Sequence, residues 1–281
     1  MSDVTGKHRP AEKVIIYGDC WPVVSTVCHL TASILPDSLC HTPADPDALI
    51  QVLTREPGAA LLLCLRPREH IFLFCALKNV LPRHPVLVIS DEIFYSDRVI
   101  LRHWGQLPVM THQSLSPMVT SQRLRELYPF PGHHCPEQGP LTDFLMAPAL
   151  PPGLPEIPSV FLQEEDRLMD YMSLLIYREM VQAGVTPFRE KLLQTMCGGI
   201  QDLHQVAQVM NVSYQKVWYE KRQLFARLGM PGHLRELLWG THFYAALQRT
   251  PFILPVMKTR QEAPQTGQMN RRPVTGEPLI R

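Results

Sequence analysis

The first 128 residues alternate between short apolar runs and segments in which apolar residues recur at helical spacing. Runs of strand length occupy residues 14–17, 59–65, 86–89 and 107–110. Helical spacing is found over residues 22–35, 47–53, 72–81, 94–104 and 119–128. Parallel strands need long crossovers between them, and they are apolar throughout because both faces of the sheet are covered. The pattern therefore predicts an α/β domain with a doubly wound parallel sheet. In such sheets the functional residues lie at the carboxyl ends of the strands.

A proline-rich stretch separates this domain from a helical one. Nine of the 27 prolines lie between Pro129 and Pro158, so residues 129–160 are predicted to be a linker that forms helix or strand poorly. Residues 161–245 are predicted to be all-α, with helices over residues 166–182, 188–196, 203–210, 213–228 and 234–239. Residues 246–281 are predicted to form a polar, disordered tail.

The charge of the chain is unevenly distributed. The formal net charge is only +1, but residues 1–185 carry a net −6, residues 186–240 a net +3 and residues 241–281 a net +4. An acidic N-terminal part and a basic C-terminal part are expected when the C-terminal part contacts phosphate and the N-terminal part does not.

Several functional classes are excluded by motif. No apolar run approaches the roughly 18 residues of a membrane span. The seven cysteines include no C-x-x-C pair, which indicates reduced thiols in a cytoplasmic protein. No P-loop or G-x-S-x-G motif is present, so neither an enzyme nor a cofactor is expected. The run His133-His134-Cys135 lacks the further ligands that zinc requires, so no metal is expected either.

Residues 203–229 have the pattern of a helix-turn-helix. A short helix containing the small Ala207 is followed by a turn, by Ser213 as an N-cap, and by a longer helix that ends before Gly229. Three apolar residues of the longer helix form a buried stripe: Val217, Leu224 and Leu228. Its other side carries four cations, against one Glu220: Lys216, Lys221, Arg222 and Arg227. A basic second helix of this kind fits the major groove of DNA, although a solvated hairpin packed on another domain has the same pattern.

Residues 186–239 resemble the LuxR-type DNA-binding domain of the two-component response regulators, the FixJ/NarL class. Thr186-Pro187, Val206-Ala207 and the closing residues Arg227, Leu228 and Gly229 match that family. The resemblance implies base contacts from Trp218, Tyr219 and Arg222, and phosphate contacts from Lys216, Lys221 and Arg227. Trp218 departs from the family, in which lysine is common; an indole can pack on a thymine methyl group but cannot bond guanine as lysine does.

The first domain resembles the receiver domain that precedes this helix-turn-helix in the family. Asp19 and Cys20 stand where receivers hold Mg²⁺ with an acidic pair, so one carboxylate is left. Cys64 stands at the phosphoacceptor aspartate and Ser90 at the switch hydroxyl, and the lysine expected after the fifth strand is absent. A thiol cannot form the acyl phosphate, so the resemblance predicts a degenerate receiver that is not phosphorylated.

Together these features predict a cytoplasmic, bacterial transcription regulator that binds double-stranded promoter DNA. The receiver-like domain is expected to supply contacts for a homodimer or for a heterodimer with a related response regulator. An alternative is an adaptor that binds another response regulator without reading DNA, because exposed aromatics such as Trp218 and Tyr219 also suit protein interfaces.

Overall fold

The computed structural model describes residues 10–127, 139–153, 157–230 and 234–254. Its sheet consists of five strands: β1 (Lys13–Gly18), β2 (Leu39–His41), β3 (Ala60–Cys64), β4 (Val86–Ser90) and β5 (Val109–Thr111). All neighbouring pairs are parallel, and the strand order is β2-β1-β3-β4-β5. This is a doubly wound order, and a helical region follows it. The predicted fold class is confirmed.

The helices of the first domain are α1 (Trp21–Ile34), α2 (Pro46–Arg55), α3 (Ile71–Ala76), α4 (Tyr95–His103) and α5 (His112–Leu127). Next in the chain are α6 (Pro140–Met146) and the helices of the second domain: α7 (Glu165–Gln182), α8 (Pro187–Cys197), α9 (Leu203–Met210), α10 (Tyr214–Leu228) and α11 (Leu234–Gly240). Among the described residues, no helix combines the length and the apolar character needed to cross a membrane.

Each strand supplies side chains to two apolar layers, because successive residues of a strand point to opposite faces. In β1, Val14 and Ile16 pack with residues of α1, α5 and α6. Ile15 and Tyr17 face the other way and pack with residues of α2, α3 and α4. All four side chains are buried, which explains why β1 appears in the sequence as a continuous apolar run.

Three elements differ from the predictions. Strand β2 was not predicted, because Leu39 and Cys40 are exposed and the strand has only three residues. The helix predicted over residues 72–81 is broken into α3 and two 3₁₀ turns, at Leu77–Asn79 and Leu81–Arg83. Helix α5 begins seven residues earlier than predicted and accommodates Pro117 within it.

The predicted linker contains ordered structure at its centre. Pro140 begins α6 at a position where its missing N–H is not needed, and Leu141 and Leu145 are fully buried against the sheet. Residues 129–138 of the predicted linker, which include His133-His134-Cys135, and residues 154–156 lie outside the described residues.

The two domains share one apolar layer. The buried residues of α4 belong to the same cluster as those of α7 to α11, and Tyr171 Oη lies 3.2 Å from His103 Nε2 across the boundary. Polar contacts add to it: Arg102 pairs with Glu179, and the side chain of Lys78 donates to the Ile157 carbonyl at 3.0 Å. The helical domain is therefore packed against the α4 side of the sheet.

Part of the predicted disordered tail is also packed. Residues 246–254 were expected to be polar and unstructured, yet Thr250 is buried and Phe252 makes an edge contact with Phe72, with ring centroids 5.5 Å apart. Residues 255–281 lie outside the described residues.

Candidate nucleic-acid interface and receiver-like pocket

Helix α10 begins and ends at the residues that the sequence indicated. The Ser213 hydroxyl accepts a hydrogen bond from the Lys216 amide at 3.3 Å, and Gly229 ends the helix in the left-handed conformation at φ 60°. The preceding turn uses Asn211 at φ 53°, a conformation that asparagine tolerates better than most residues. These caps fix the length and the direction of α10 relative to α9.

The buried stripe of α10 is as predicted, with Phe225 added. Val217, Leu224, Phe225 and Leu228 are all buried in the shared apolar layer. At about 3.6 residues per turn, the residues opposite this stripe are those near Tyr219. This outward face of α10 carries four exposed residues, with the exposed Trp218 at its edge: Gln215, Tyr219, Arg222 and Ala226. The described residues leave Trp218 48% and Tyr219 54% exposed.

Two of the three predicted phosphate-contacting cations lie beside this outward face. Lys216 and Arg227 are exposed on one flank of it, whereas Lys221, four residues after Val217 and three before Leu224, lies half-buried on the side of the stripe, 5.4 Å from the centre of the Phe225 ring. Arg227 lies near the end of the helix against Gly184, about 16 Å from Lys216 along the axis. The Arg222 guanidinium lies 5.7 Å from the centre of the Trp218 ring, which limits the directions it can take.

The acidic residue of α10 is compensated within the domain. Glu220 accepts a hydrogen bond from Arg189 of α8 at 2.8 Å, and both side chains are largely buried. Because this pair is neutral as a whole, it does not offset the charge of the outward face and its flanks. The receiver-like domain approaches α10 at its C-terminal end, where Arg98 donates to the Leu228 carbonyl at 2.9 Å.

The four residues predicted for the degenerate phosphoacceptor pocket do lie together. Asp19, Cys20, Cys64 and Ser90 line one cavity of about 250 Å³ at the carboxyl ends of β1, β3 and β4. They meet there because parallel strands present their carboxyl ends on the same edge of the sheet. Gly18 makes the close approach possible: a Cβ atom at that position would lie 2.3 Å from the Cys64 carbonyl oxygen.

The cavity presents a thiol, not a carboxylate, at the end of β3. The Cys64 side chain is 2% exposed, and burial raises the pKa of its thiol, so the thiolate is strongly disfavoured. Ser90 Oγ donates to the Glu92 carbonyl at 3.0 Å instead of pointing at a free site. His112 lines the cavity just after β5.

Sequence reasoning missed the ion pairs at the cavity. Arg66 donates to Asp91 through Nε at 2.8 Å and through Nη2 at 2.5 Å, and this pairing lowers the pKa of Asp91 to about 2. Arg249 reaches the cavity from the far end of the chain and pairs with Asp19 at 2.5 Å. A hydrogen bond from His70, supported by Arg249, lowers the pKa of Asp19. The Arg66–Asp91 pair follows directly from the ends of β3 and β4, whereas no local signal indicates Arg249.

The described residues contain no group of three or more His, Cys, Asp or Glu side chains placed to hold a metal ion. No protein-family model matches the chain, and no curated protein matches it.

The structural comparisons found the response regulator RcsB. A structure of two RcsB dimers bound to two parallel DNAs is 13% identical, with 81% of this chain and 96% of that chain covered and a TM-score of 0.45. An RcsB–DNA complex is 14% identical over the same shares, with a TM-score of 0.42. RcsB from Salmonella enterica serovar Typhimurium, bound to promoter rprA with the phosphomimetic BeF3-, is 13% identical over the same shares and has a TM-score of 0.41. The chain is thus structurally similar to a DNA-binding response regulator at low sequence identity.

Proposed function

We propose that this protein is a transcription regulator that binds double-stranded promoter DNA through α10, and that it does so without phosphorylation. The observation that carries the proposal is the outward face of α10, where Tyr219 and Arg222 are exposed beside the exposed cations Lys216 and Arg227. A helix of this kind suits the major groove: side chains at its centre meet base edges, and the cations beside them meet phosphates.

The roles of the individual side chains follow from their positions. Arg222 is the candidate for guanine, because a guanidinium donates two hydrogen bonds to O6 and N7. Tyr219 and Trp218 offer apolar surface for a thymine methyl group or a sugar. Lys216, Lys221 and Arg227 are proposed to bind phosphate, which sets the register of the helix without reading sequence.

Independence from phosphorylation is supported by the receiver-like pocket. A buried, protonated thiol stands at the end of β3, where an acyl phosphate would need a carboxylate. The receiver-like domain is then free to serve as a contact surface for a second copy or for a related response regulator. Dimerisation would double the number of α10 helices on the DNA and fix the spacing of two half-sites.

The test begins with selection of DNA sequences by the full chain from a random pool. Affinities of the wild type and of single variants are then measured on the selected site and on random DNA. Lys221→Ala is expected to weaken both by a similar factor, whereas Arg222→Ala is expected to cost about 1–3 kcal/mol on the selected site and much less on random DNA. Arg55→Ala removes an exposed cation of α2 and serves as the matched control.

If the selection enriches no sequence, sequence-specific binding of DNA by this protein is contradicted. An unchanged ratio of specific to random affinity in Arg222→Ala would contradict the role of that residue.

A second candidate is the adaptor that binds another response regulator and does not read DNA. It is favoured by the exposed aromatic side chains of α10, since Tyr214, Trp218 and Tyr219 are each at least 41% exposed. Chromatin immunoprecipitation separates the two candidates. Loss of occupancy in a Lys216/Lys221/Arg222 triple alanine variant that still binds its partner favours direct DNA contact, and retained occupancy favours the adaptor.

A further inference from the structure

Residues 248–252, which follow the helical domain, return to the receiver-like domain and lie along the segment after β3. We call these five residues the strap. The Gln248 side chain accepts a hydrogen bond from the Ile71 amide and donates one to the Arg68 carbonyl, both at 2.9 Å. The Arg249 amide donates to the Glu69 carbonyl at 2.8 Å. The strap therefore satisfies backbone groups of the 67–71 segment much as a neighbouring strand would.

The side chains of the strap extend this attachment into the pocket. Thr250 Oγ1 lies 2.8 Å from Nδ1 of the buried His70, whose Nε2 lies 3.3 Å from Asp19 Oδ2. The Arg249 guanidinium binds the same Asp19 oxygen through Nη1 at 2.5 Å, and it binds Glu69 through Nε at 2.8 Å. Asp19 is thereby joined to residues more than 200 positions further along the chain.

The pocket does not fit the divalent cation that the receiver resemblance implies. Magnesium requires near-octahedral oxygen ligands, and usually more than one carboxylate where no phosphate helps to hold it. Here both carboxylates that line the cavity are already held by cations: Arg66 binds both oxygens of Asp91, and Arg249 and His70 bind Oδ2 of Asp19. The other side chains beside Asp19 are two thiols, Cys20 and Cys64, which are poor ligands for magnesium. The positive charge that Asp19 requires is supplied by the protein itself.

We propose that Arg249 supplies at Asp19 the positive charge that a metal ion supplies in receivers, and that the strap makes the receiver-like pocket a fixed joint between the two domains. Arg249 is a positioning residue: it holds the strap on Asp19 and Glu69, and the strap holds the helical domain on the α4 side of the sheet. In this arrangement the outward face of α10 stays uncovered by the described residues. Orientation of the helical domain then requires neither Mg²⁺ nor a phosphoryl group.

Hydrogen–deuterium exchange of the full chain tests the joint without reference to DNA. Arg249→Ala removes two charge-assisted hydrogen bonds, so the amides of Ile71 and Arg249 should exchange about tenfold faster than in the wild type. Asp19→Asn should accelerate the same Arg249 amide, although it lies 230 positions away. Exchange of the Ile89 amide in β4 reports whether each variant is still folded, and the exposed Arg55→Ala is the matched control for the loss of a cation.

The double variant Asp19→Asn/Arg249→Ala distinguishes one shared ion pair from two independent contributions. Because both single changes break the same ion pair, the double variant should exchange little faster than either one. Millimolar Mg²⁺ should leave the melting temperature of the wild type and the exchange of its strap unchanged. Unaltered exchange at Ile71 and Arg249 in Arg249→Ala, additive effects in the double variant, or stabilisation of the wild type by Mg²⁺ would each overturn the proposal. None of these outcomes depends on whether α10 binds DNA.

Discussion

The ion pair between Arg68 and Asp97 supports the segment on which the strap rests, and its removal gives the clearest stability prediction. Asp97 lies in the first turn of α4 and is fully buried. Its carboxylate accepts hydrogen bonds from the Arg68 amide at 2.7 Å, from Arg68 Nη1 at 2.5 Å and from the Phe94 amide at 2.8 Å. Arg68→Ala keeps the two backbone donors and removes the only cation that contacts this carboxylate among the described residues.

The magnitude follows from the burial. Removing one partner of a buried ion pair leaves an uncompensated charge in the interior, which costs about 3–5 kcal/mol. Arg68 is only 8% exposed and also lies 4.1 Å from the centre of the Phe94 ring, so the loss of packing acts in the same direction. A domain stable by about 5–15 kcal/mol would lose a large fraction of its stability.

The loss should depend on pH with a defined sign. Burial raises the pKa of Asp97 above its value in the unfolded chain, and Arg68→Ala raises it further by removing the opposing cation. Between the unfolded and the folded pKa, the folded state holds one more proton than the unfolded state. Stability of the variant therefore falls as pH rises through this window, by up to about 1.4 kcal/mol per pH unit, and the destabilisation shrinks as pH falls towards 4.

Urea denaturation at about pH 8 and about pH 5 measures both effects. The double variant Arg68→Ala/Asp97→Asn has no uncompensated carboxylate at position 97, so it should be more stable than Arg68→Ala at the higher pH. Arg55→Ala should change the stability by less than about 0.5 kcal/mol. A loss below about 1 kcal/mol in Arg68→Ala, or a loss that is the same at both pH values, would refute this reasoning.

Three further predictions concern the core and the pocket. Gly18→Ala should destabilise the protein by about 1–3 kcal/mol in chemical denaturation, because the added Cβ would force β1 away from Cys64; an unchanged midpoint would contradict the close approach of these strands. Alkylation of the native protein should modify the exposed Cys20 well before Cys64, because burial raises the pKa of the Cys64 thiol, and equal rates measured by mass spectrometry would contradict a closed pocket. Leu224→Ala should cost about 2–5 kcal/mol of unfolding free energy, because this side chain is fully buried under α10; a loss below 1 kcal/mol would place the stripe elsewhere.

The sequence predicted best those elements whose signals are local. Helix α10 was predicted over its full length, because Ser213 and Gly229 carry the chemistry of its two caps within the helix-turn-helix itself. The pocket residues Asp19, Cys64 and Ser90 were grouped correctly, because parallel strands present their ends on one edge. Their roles, and those of the α10 side chains, remain predictions.

The elements that were missed or misplaced lack local signals. Residues 71–77 are all buried, so this segment has no polar face and no amphipathic pattern. The sequence therefore gives no sign of where α3 ends and the 3₁₀ turns begin. Strand β2 is three residues long and mostly exposed, so no apolar run marks it. The pairing of Arg249 with Asp19 joins two positions far apart in the chain, and no periodicity or motif of a single sequence reports such a contact.

The dependence of DNA affinity on salt tests the central claim most directly, because it counts the phosphates that α10 contacts. Each phosphate neutralised by a lysine or arginine contributes about 0.9 to the slope of log K against log salt. If Lys216, Lys221 and Arg227 bind phosphate, their triple alanine variant should show a slope about three units shallower than the wild type on the selected site. A slope that stays the same in this variant would contradict the placement of α10 in a groove of DNA.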